Sequence, residues 1–540
     1  MKKIHLIGLS LLSSVLLSLS WPSNGFAPLI FIAFVPLFFV QDYIGNPETK
    51  NRKLSVFRLA YLSFLVWNIL TTWWIWNSTG IGAIAAIMLN SLFMATTFWL
   101  FHLTRKKLYG NQGGMFLLLF YWLSWEYLHL NWDLNWPWLN LGHVFVTQHT
   151  WIQWYEYTGV PGGTIWVLLM NILAFNATKS ALKFQSNKRQ FYISVSAFLA
   201  LWILPVVISM QMYSSYIETG KETEIVVVQP NVDPYNEQFE LDPASVIERN
   251  LGLAASAMSP NTDFILSPES AIQEQIWEER MQSSKALKQM QEFVNQYPHV
   301  SYVIGASTFG IVPRGHEKDH AARKFLSADS YYYAYNTAFC IDSTNNYKLY
   351  HKSKLTPGVE MMPSWFFLRP LKNYAINLGG TFGTLKIDNE YRIFTNTHAG
   401  VSGAPLICYE SVYGEFVTGF VRNGANIIFI ITNDGWWGNT PGHKQHFDFS
   451  VLRAIETRRS IARSANTGIS AFVDQRGDVY QKTPYWEKAV IRQKLRTNDR
   501  LTFYVKHGDY LSRAAVILTI IAFIAAVVRT FIKRRKTTVS

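Results

Sequence analysis

Apolar residues fall into two regimes along the chain. Up to about residue 213 they form long runs broken by short polar stretches, and from 218 to 510 they form short runs between amphipathic segments. A last long run, 514–532, leads into the basic tail 533–540, "KRRKTTVS". Seven apolar segments precede the mixed region: 4–21, 27–40, 59–76, 81–103, 115–130, 165–178 and 191–212. Several approach the roughly 20 residues that a helix needs to cross hydrocarbon. With 514–532 they predict eight transmembrane helices, seven in a membrane domain at 1–213 and one after the mixed region. The first two are separated only by "PSNGF", and the second is short, so the pair can form a helical hairpin. A cleaved signal peptide is the alternative for the first. Six further segments and the lack of a small-x-small site before the second argue against it.

The positions of Lys and Arg orient these segments. "MKK", "KNRKLSVFR", "TRKK", "KSALKFQSNKR" and "KRRK" all fall on one side if all eight cross, while "PSNG", "NSTG" and 131–164 contain no Lys or Arg. Both termini are then cytoplasmic and the mixed region, 218–510, lies on the far side. The net charge of +13 is thereby explained by topology, and nucleic acid need not be invoked as a partner.

In the mixed region, strands are predicted at 224–232, 263–270, 300–307, 335–342, 403–410, 426–434 and 468–475, with helices at 244–257, 284–295 and 444–466. Continuous apolar strands alternating with helices predict an α/β layer fold with a buried sheet. In such folds the chemistry gathers just beyond strand ends. Glu269 follows "FILSP", Cys408 ends "GAPLIC", Asn433 and Asp434 follow "IIFIIT", and Lys352 lies in "YKLYHKSKL". A thiol is a useful nucleophile only as thiolate, which needs a base or a positive charge nearby. A carboxylate can take its proton, and a lysine ammonium can stabilise both thiolate and oxyanion. Taken singly, each has a plainer reading: a buried small hydrophobe for Cys408, a solvated strand-end Glu269, and a Lys352 that only neutralises a carboxylate.

Only two cysteines occur, which excludes a disulfide scaffold; Cys340 reads as a buried strand residue. His443 and His446 in "GHKQHFD" do not stand in the His-Glu-x-x-His order of a zinc protease and read as solvated or hydrogen-bonding side chains. No metal and no cofactor are expected. Glu126, near a span, is either functional or an ordinary interfacial residue. The apolar, aromatic stretch "EMMPSWFFLRP" at 360–370 suits a mobile cover over Cys408.

Together, "SPES", "YHKSKL" and "ICYES" resemble, in order, the three motifs of the carbon–nitrogen hydrolase (nitrilase) superfamily, which carries a Glu–Lys–Cys triad on an αββα sandwich. With seven membrane segments before and one after, the resemblance narrows to its membrane branch, the bacterial apolipoprotein N-acyltransferases. "VVVQPNV", "YNTA", "ITNDGWWG", "RSIARSANTGISAFVDQRG", "WPWLNLGH" and "YTGVPGGTIW" agree. The resemblance implies Glu269 as general base, Lys352 as stabiliser and Cys408 as nucleophile, with Glu360, Tyr409, Glu410 and Trp436 in support. Lys354 is a rival for Lys352, which stands two residues after Tyr350 as the family's lysine does. The family commonly has Pro-Phe-Gly-Glu where this chain has Pro357-Gly358-Val359-Glu360. The implied partners are a phospholipid acyl donor, a diacylated apolipoprotein acceptor and the inner-membrane bilayer. A membrane-anchored amidase acting on a soluble C–N bond, or an inactive lipid-binding relative, are the competing readings.

Overall fold

The computed structural model describes residues 1–22, 24–46, 55–110, 113–238, 240–313, 315, 318–326, 328–361 and 384–538. The chain divides into two compact units. One contains Met1–Trp76, Gly80–Ser215 and His507–Ser540; the other contains Asn77–Thr79 and Tyr216–Lys506.

The first unit is helical: α1 (Lys3–Ser20), α2 (Val35–Gly45), α3 (Val56–Thr72), α4 (Gly80–Tyr109), α5 (Leu117–Leu130), α6 (Tyr155–Ala181), α7 (Phe184–Ser215) and a C-terminal helix, Tyr510–Thr538. The expected second segment is broken, a 3₁₀ turn at Ala27–Phe31 preceding α2. Among the described residues seven helical segments are long and apolar enough to span a bilayer, six before the second unit and one after it. The remaining expected span, α5, has 14 residues. At 1.5 Å per residue it reaches about 21 Å, short of a hydrocarbon core of about 30 Å. Glu126 on α5 is buried and fully engaged. It accepts from Trp122 Nε1 at 3.1 Å, Leu141 N–H at 2.8 Å and Thr164 Oγ1 at 2.7 Å. It thereby fastens the 3₁₀ segment Leu141–Trp151 and α6 to α5.

Among the described residues the second unit contains two sheets. Its strands are β1 (Glu222–Gln229), β2 (Thr262–Leu266), β3 (Ile272–Trp277), β4 (Ser301–Ile311), β5 (Arg323–Lys324), β6 (Tyr331–Ile341), β7 (Lys348–His351), β8 (Phe394–Asn396), β9 (Val401–Ile407), β10 (Ile427–Thr432), β11 (Ile461–Ala465), β12 (Ala471–Val473), β13 (Val479–Tyr480) and β14 (Ala489–Arg496). The first sheet runs β14-β1-β2-β4-β6-β5, with β3 also on β4 and β7 on β6; the second runs β13-β12-β11-β10-β9-β8. β10 is parallel to both β9 and β11 and fully buried, so it reads as an unbroken apolar run. Helices α8 (Pro243–Ala257) and α9 (Lys285–Asn295) cover the first sheet through Ile247, Leu251, Leu287, Met290 and Val294. Each such side chain, fully buried, is worth about 1.5–3 kcal/mol. The two sheets meet where Phe264 packs on Phe429, ring centroids 4.8 Å apart, and where Ser464 Oγ donates to the Val228 carbonyl at 2.7 Å.

One expectation fails clearly. The helix predicted over 444–466 is α11, Pro441–Thr457, and β11 follows it. Arg458 adopts the left-handed conformation (φ +52°), which ends the helix, and the following apolar positions pair in parallel with β10. Aromatic residues 365–367 of the expected cover lie outside the described residues.

Candidate active site

Three strand ends of the second unit meet. β2 and β3 lie end to end along β4, and Glu269 occupies the break between them. That break is held to β4 by Ser267 N–H to the Val303 carbonyl at 2.8 Å and Gly305 N–H to the Pro268 carbonyl at 3.0 Å. Lys352 continues β7 beyond its last pair and donates its N–H to the Asn336 carbonyl on β6 at 2.8 Å. Cys408 follows β9 directly and opens a 3₁₀ turn, Cys408–Val412. Its φ of +50° is rare for a side-chain-bearing residue and puts the thiol on a sharp strand-to-helix elbow.

Lys352 is 1% exposed. Its Nζ donates to Glu360 Oε1 at 2.8 Å and Glu269 Oε1 at 3.2 Å. Asn336 Nδ2 donates to the same two oxygens, at 2.9 and 2.8 Å. From the second sheet, Asn433 N–H donates to Glu269 Oε2 at 3.1 Å. Thr356 N–H donates to Glu360 Oε2 at 2.9 Å, so Pro357-Gly358-Val359 is a tight loop that brings Glu360 back onto the lysine. Burial opposes the Lys352 charge, but the two carboxylates outweigh it and hold its pKa well above the ordinary value. Burial pushes Glu360 up, and Lys352 with the Thr356 and Asn336 donors brings it below the usual range. Burial, then the Glu269 carboxylate, drive the Cys408 thiol well above its ordinary value, with Lys352 pulling the other way. A thiol so raised tends to hold its proton, and a carboxylate beside it is a group able to take that proton.

Glu410 ties the pieces together. Fully buried, it accepts from Ile407 N–H at 2.8 Å, Tyr350 Oη at 2.6 Å and Ser353 N–H at 2.6 Å. The end of β9 and the loop after Lys352 thus share one carboxylate. Tyr409 is buried, its ring 5.3 Å from that of Tyr413. Lys354, the rival lysine, lies over the Tyr413 and Phe416 rings, at 5.2 and 5.7 Å. Trp436 packs against Tyr235, whose hydroxyl donates to the Trp436 carbonyl at 2.7 Å. Cys340 is fully buried on β6, and burial raises its thiol to about 12.

Sequence reasoning missed Asn336, although "YNTA" was visible, and did not join Asp434, expected at a strand exit, and His446 to Arg463 in one fully buried group. His446 follows the hydrogen-bonding one of its two expected readings: its Nδ1 lies 2.8 Å from Asp434 Oδ1, and Arg463 Nη2 donates to Asp434 Oδ2 at 2.7 Å. Cys408, Asp434 and His446 bring their polar atoms within 4.8 Å of one another. Both Asp434 oxygens and both His446 nitrogens already have hydrogen-bond partners, so the donor set is that of a polar network rather than a vacant metal site.

A cysteine on a strand-exit elbow, facing a buried lysine shared by two carboxylates, on a two-sheet α/β framework defines a nitrilase-like thiol domain. Residues 225–499, half of the chain, match the carbon-nitrogen hydrolase family model, and residues 13–173 match that of the apolipoprotein N-acyltransferase N-terminal domain. The chain belongs to the carbon–nitrogen hydrolase family. It is similar over nearly its full length to the apolipoprotein N-acyltransferase of Chlorobaculum tepidum, 27% identical over 96% of each chain. It is also similar to that of Geobacter metallireducens, 28% identical over 94% of this chain and 92% of the relative. A crystal structure of Saccharomyces cerevisiae Nit3, of the nitrilase superfamily, aligns with 52% of this chain and 92% of its own at 14% identity and a TM-score of 0.38.

Proposed function

We propose that this membrane protein is an N-acyltransferase that completes lipoprotein maturation by ping-pong transfer through Cys408. The observation that carries the reading is Lys352, buried between Glu269 and Glu360 beside the Cys408 elbow, in a chain with bilayer-length apolar helices. Glu269 takes the Cys408 proton as sulfur attacks the sn-1 ester of a phospholipid, phosphatidylethanolamine in this reading. Lys352 and backbone N–H groups of the elbow hold the oxyanion, and the lysophospholipid leaves as alcohol, taking a proton from Glu269. The α-amine of a diacylglyceryl-cysteine at an apolipoprotein N-terminus then attacks the thioester, giving the amide and restoring the thiol. Glu360 and Glu410 set the positions of Lys352 and the elbow, and Tyr409 and Trp436 line the approach. The two contacting sheets with α8 and α9 outside the first fit an αββα arrangement. The basic loops favour all eight helices crossing the inner membrane, the shorter α5 by local thinning of the bilayer, with both termini cytoplasmic and the thiol domain periplasmic.

The test is intact-protein mass spectrometry after incubation with phosphatidylethanolamine and no acceptor. A hydroxylamine-labile acyl adduct is expected on Cys408, absent from Cys408→Ala and discharged by a diacylated lipopeptide. No adduct, with ammonia released from small amides, identifies an anchored amidase instead.

A further inference from the structure

The nucleophile's own backbone is gripped by a helix that has no part in the chemistry above. His446 on α11 is fully buried, with Nε2 3.1 Å from the Cys408 carbonyl oxygen and 3.3 Å from Ser411 Oγ. A carbonyl oxygen can only accept, so Nε2 carries a proton and donates it into this contact. Asp434 Oδ1, 2.8 Å from Nδ1, fixes the ring from the other side. Asp434 is itself held by Thr432 Oγ1 at 2.8 Å and Arg463 Nη2 at 2.7 Å, the latter 3.1 Å from Nδ1. Ser411 Oγ is a second donor to the Cys408 carbonyl, at 2.8 Å. Two turns along α11, Arg453 Nη1 donates to the carbonyls of Ser411 and Val412, at 3.3 and 2.7 Å. One face of α11 therefore reaches carbonyls at both ends of the 3₁₀ turn that begins at the nucleophile, those of Cys408, Ser411 and Val412.

We infer that His446, braced by Asp434 and Arg463, is a positioning residue for the oxyanion donor, acting through the Cys408–Tyr409 peptide. In a planar trans peptide the carbonyl and the following N–H point in opposite directions. Anchoring the Cys408 carbonyl on His446 therefore aims the Tyr409 N–H to the other face, and on such elbows the N–H after the nucleophile receives the oxyanion. Cys408 sits in a sparsely populated backbone region, which persists only where the surroundings over-determine it. Donation into the carbonyl also polarises the peptide, strengthening its N–H as a donor. The inference rests on acyl transfer through Cys408.

Two reactions of Cys408 separate aim from attack in the full-length protein in mixed micelles. Thioester formation with phosphatidylethanolamine builds an oxyanion; alkylation by iodoacetamide does not. His446→Leu is expected to slow thioester formation on the order of ten- to a hundredfold, up to the cost of losing an oxyanion donor, with alkylation within about twofold of wild type. His446→Gln, which restores an N–H donor, recovers most of the rate. Ser411→Ala removes the second donor from the same carbonyl and gives a smaller loss confined to acylation, so the test stands even if His446→Leu fails to fold. Acylation and alkylation falling together in a folded variant, or acylation unchanged in both variants, overturns the inference alone. A wild-type protein that forms no hydroxylamine-labile adduct overturns the proposed function, and this inference with it.

Discussion

Adding one methyl group at Gly305 tests how tightly Glu269, the proposed base, must be placed. Gly305 lies on β4 opposite the break that carries Glu269, and a Cβ there would stand 2.7 Å from Glu269 Cα, 2.8 Å from Ser270 N and 3.0 Å from Glu269 C. All three are backbone atoms, so no side chain can swing aside. Reaching ordinary contact at 3.4 Å requires the Glu269 turn to retreat from β4 by about 0.7 Å. The carboxylate is held at 2.8, 3.1 and 3.2 Å by Asn336, Asn433 and Lys352, on both sheets, so a shift of that size pulls at least one contact beyond hydrogen-bond reach. A misplacement of about 1 Å in a catalytic group can cost on the order of 10²-fold, and overpacking costs about 1–3 kcal/mol of stability. Gly305→Ala should therefore form the Cys408 thioester about 30- to 100-fold more slowly at unchanged substrate affinity, by the same reasoning on placement. Its thermal midpoint should fall by about 2–12 °C, taking about 2–4 °C per kcal/mol for a domain of this size. The matched control is Gly252→Ala on α8, where the added Cβ meets nothing within 4 Å. It should gain about 0.5–1 kcal/mol and keep full activity. Acylation of Gly305→Ala at the wild-type rate would refute the reasoning, because Glu269 would then tolerate displacement.

Lys352→Met leaves Glu269 and Glu360 facing each other without their shared cation. It should abolish thioester formation and cost about 3–5 kcal/mol, read as a lowered thermal midpoint. Because the Cys408 thiol lies well above its ordinary value, its alkylation by iodoacetamide should keep rising with pH and not level off below pH 9. Glu410 is pushed up by burial to about 7, against 4.5 when unfolded. Its protonated form is favoured in the native state, so its stabilising contribution is complete below pH 4.5 and lost as pH rises through about 7. Thermal midpoints of wild type and Glu410→Gln between pH 4.5 and 8 should differ in slope in that direction, and parallel curves would dismiss the effect.

Glu269 and Cys408 were legible because each follows or ends an apolar strand run, where the chain must leave the sheet and side chains can converge, and Lys352 through its place two residues after Tyr350 in "YHKSKL". Glu410 was legible by its place after Cys408, but its task of joining β9 to the lysine loop depends on strand order, which local pattern does not encode. Asp434 was readable as a strand exit and His446 as a hydrogen-bonding residue; that they meet under Cys408 follows only from α11 packing back onto the elbow. The overrun of the predicted helix has a similar cause. The apolar spacing of 444–466 continues past Thr457, and neither Arg458 nor its neighbours carry the glycine that usually marks a left-handed helix end. Length explains the remaining difference in the membrane unit, since α5 is as apolar as its neighbours but shorter.

The lysine shared by two carboxylates also sets how charge would move in the proposed first chemical step. The pocket joins two carboxylates to one lysine, beside a thiol that burial and Glu269 push well above its ordinary value. In the proposed step Glu269 accepts the thiol proton, so one negative charge would move from oxygen to sulfur. Lys352, bonded to both Glu269 and Glu360, keeps Glu360 as its counter-ion throughout. With that counter-ion fixed, the buried ammonium stays balanced whether the other charge sits on Glu269 or on sulfur, and the pocket's own groups need reorganise little.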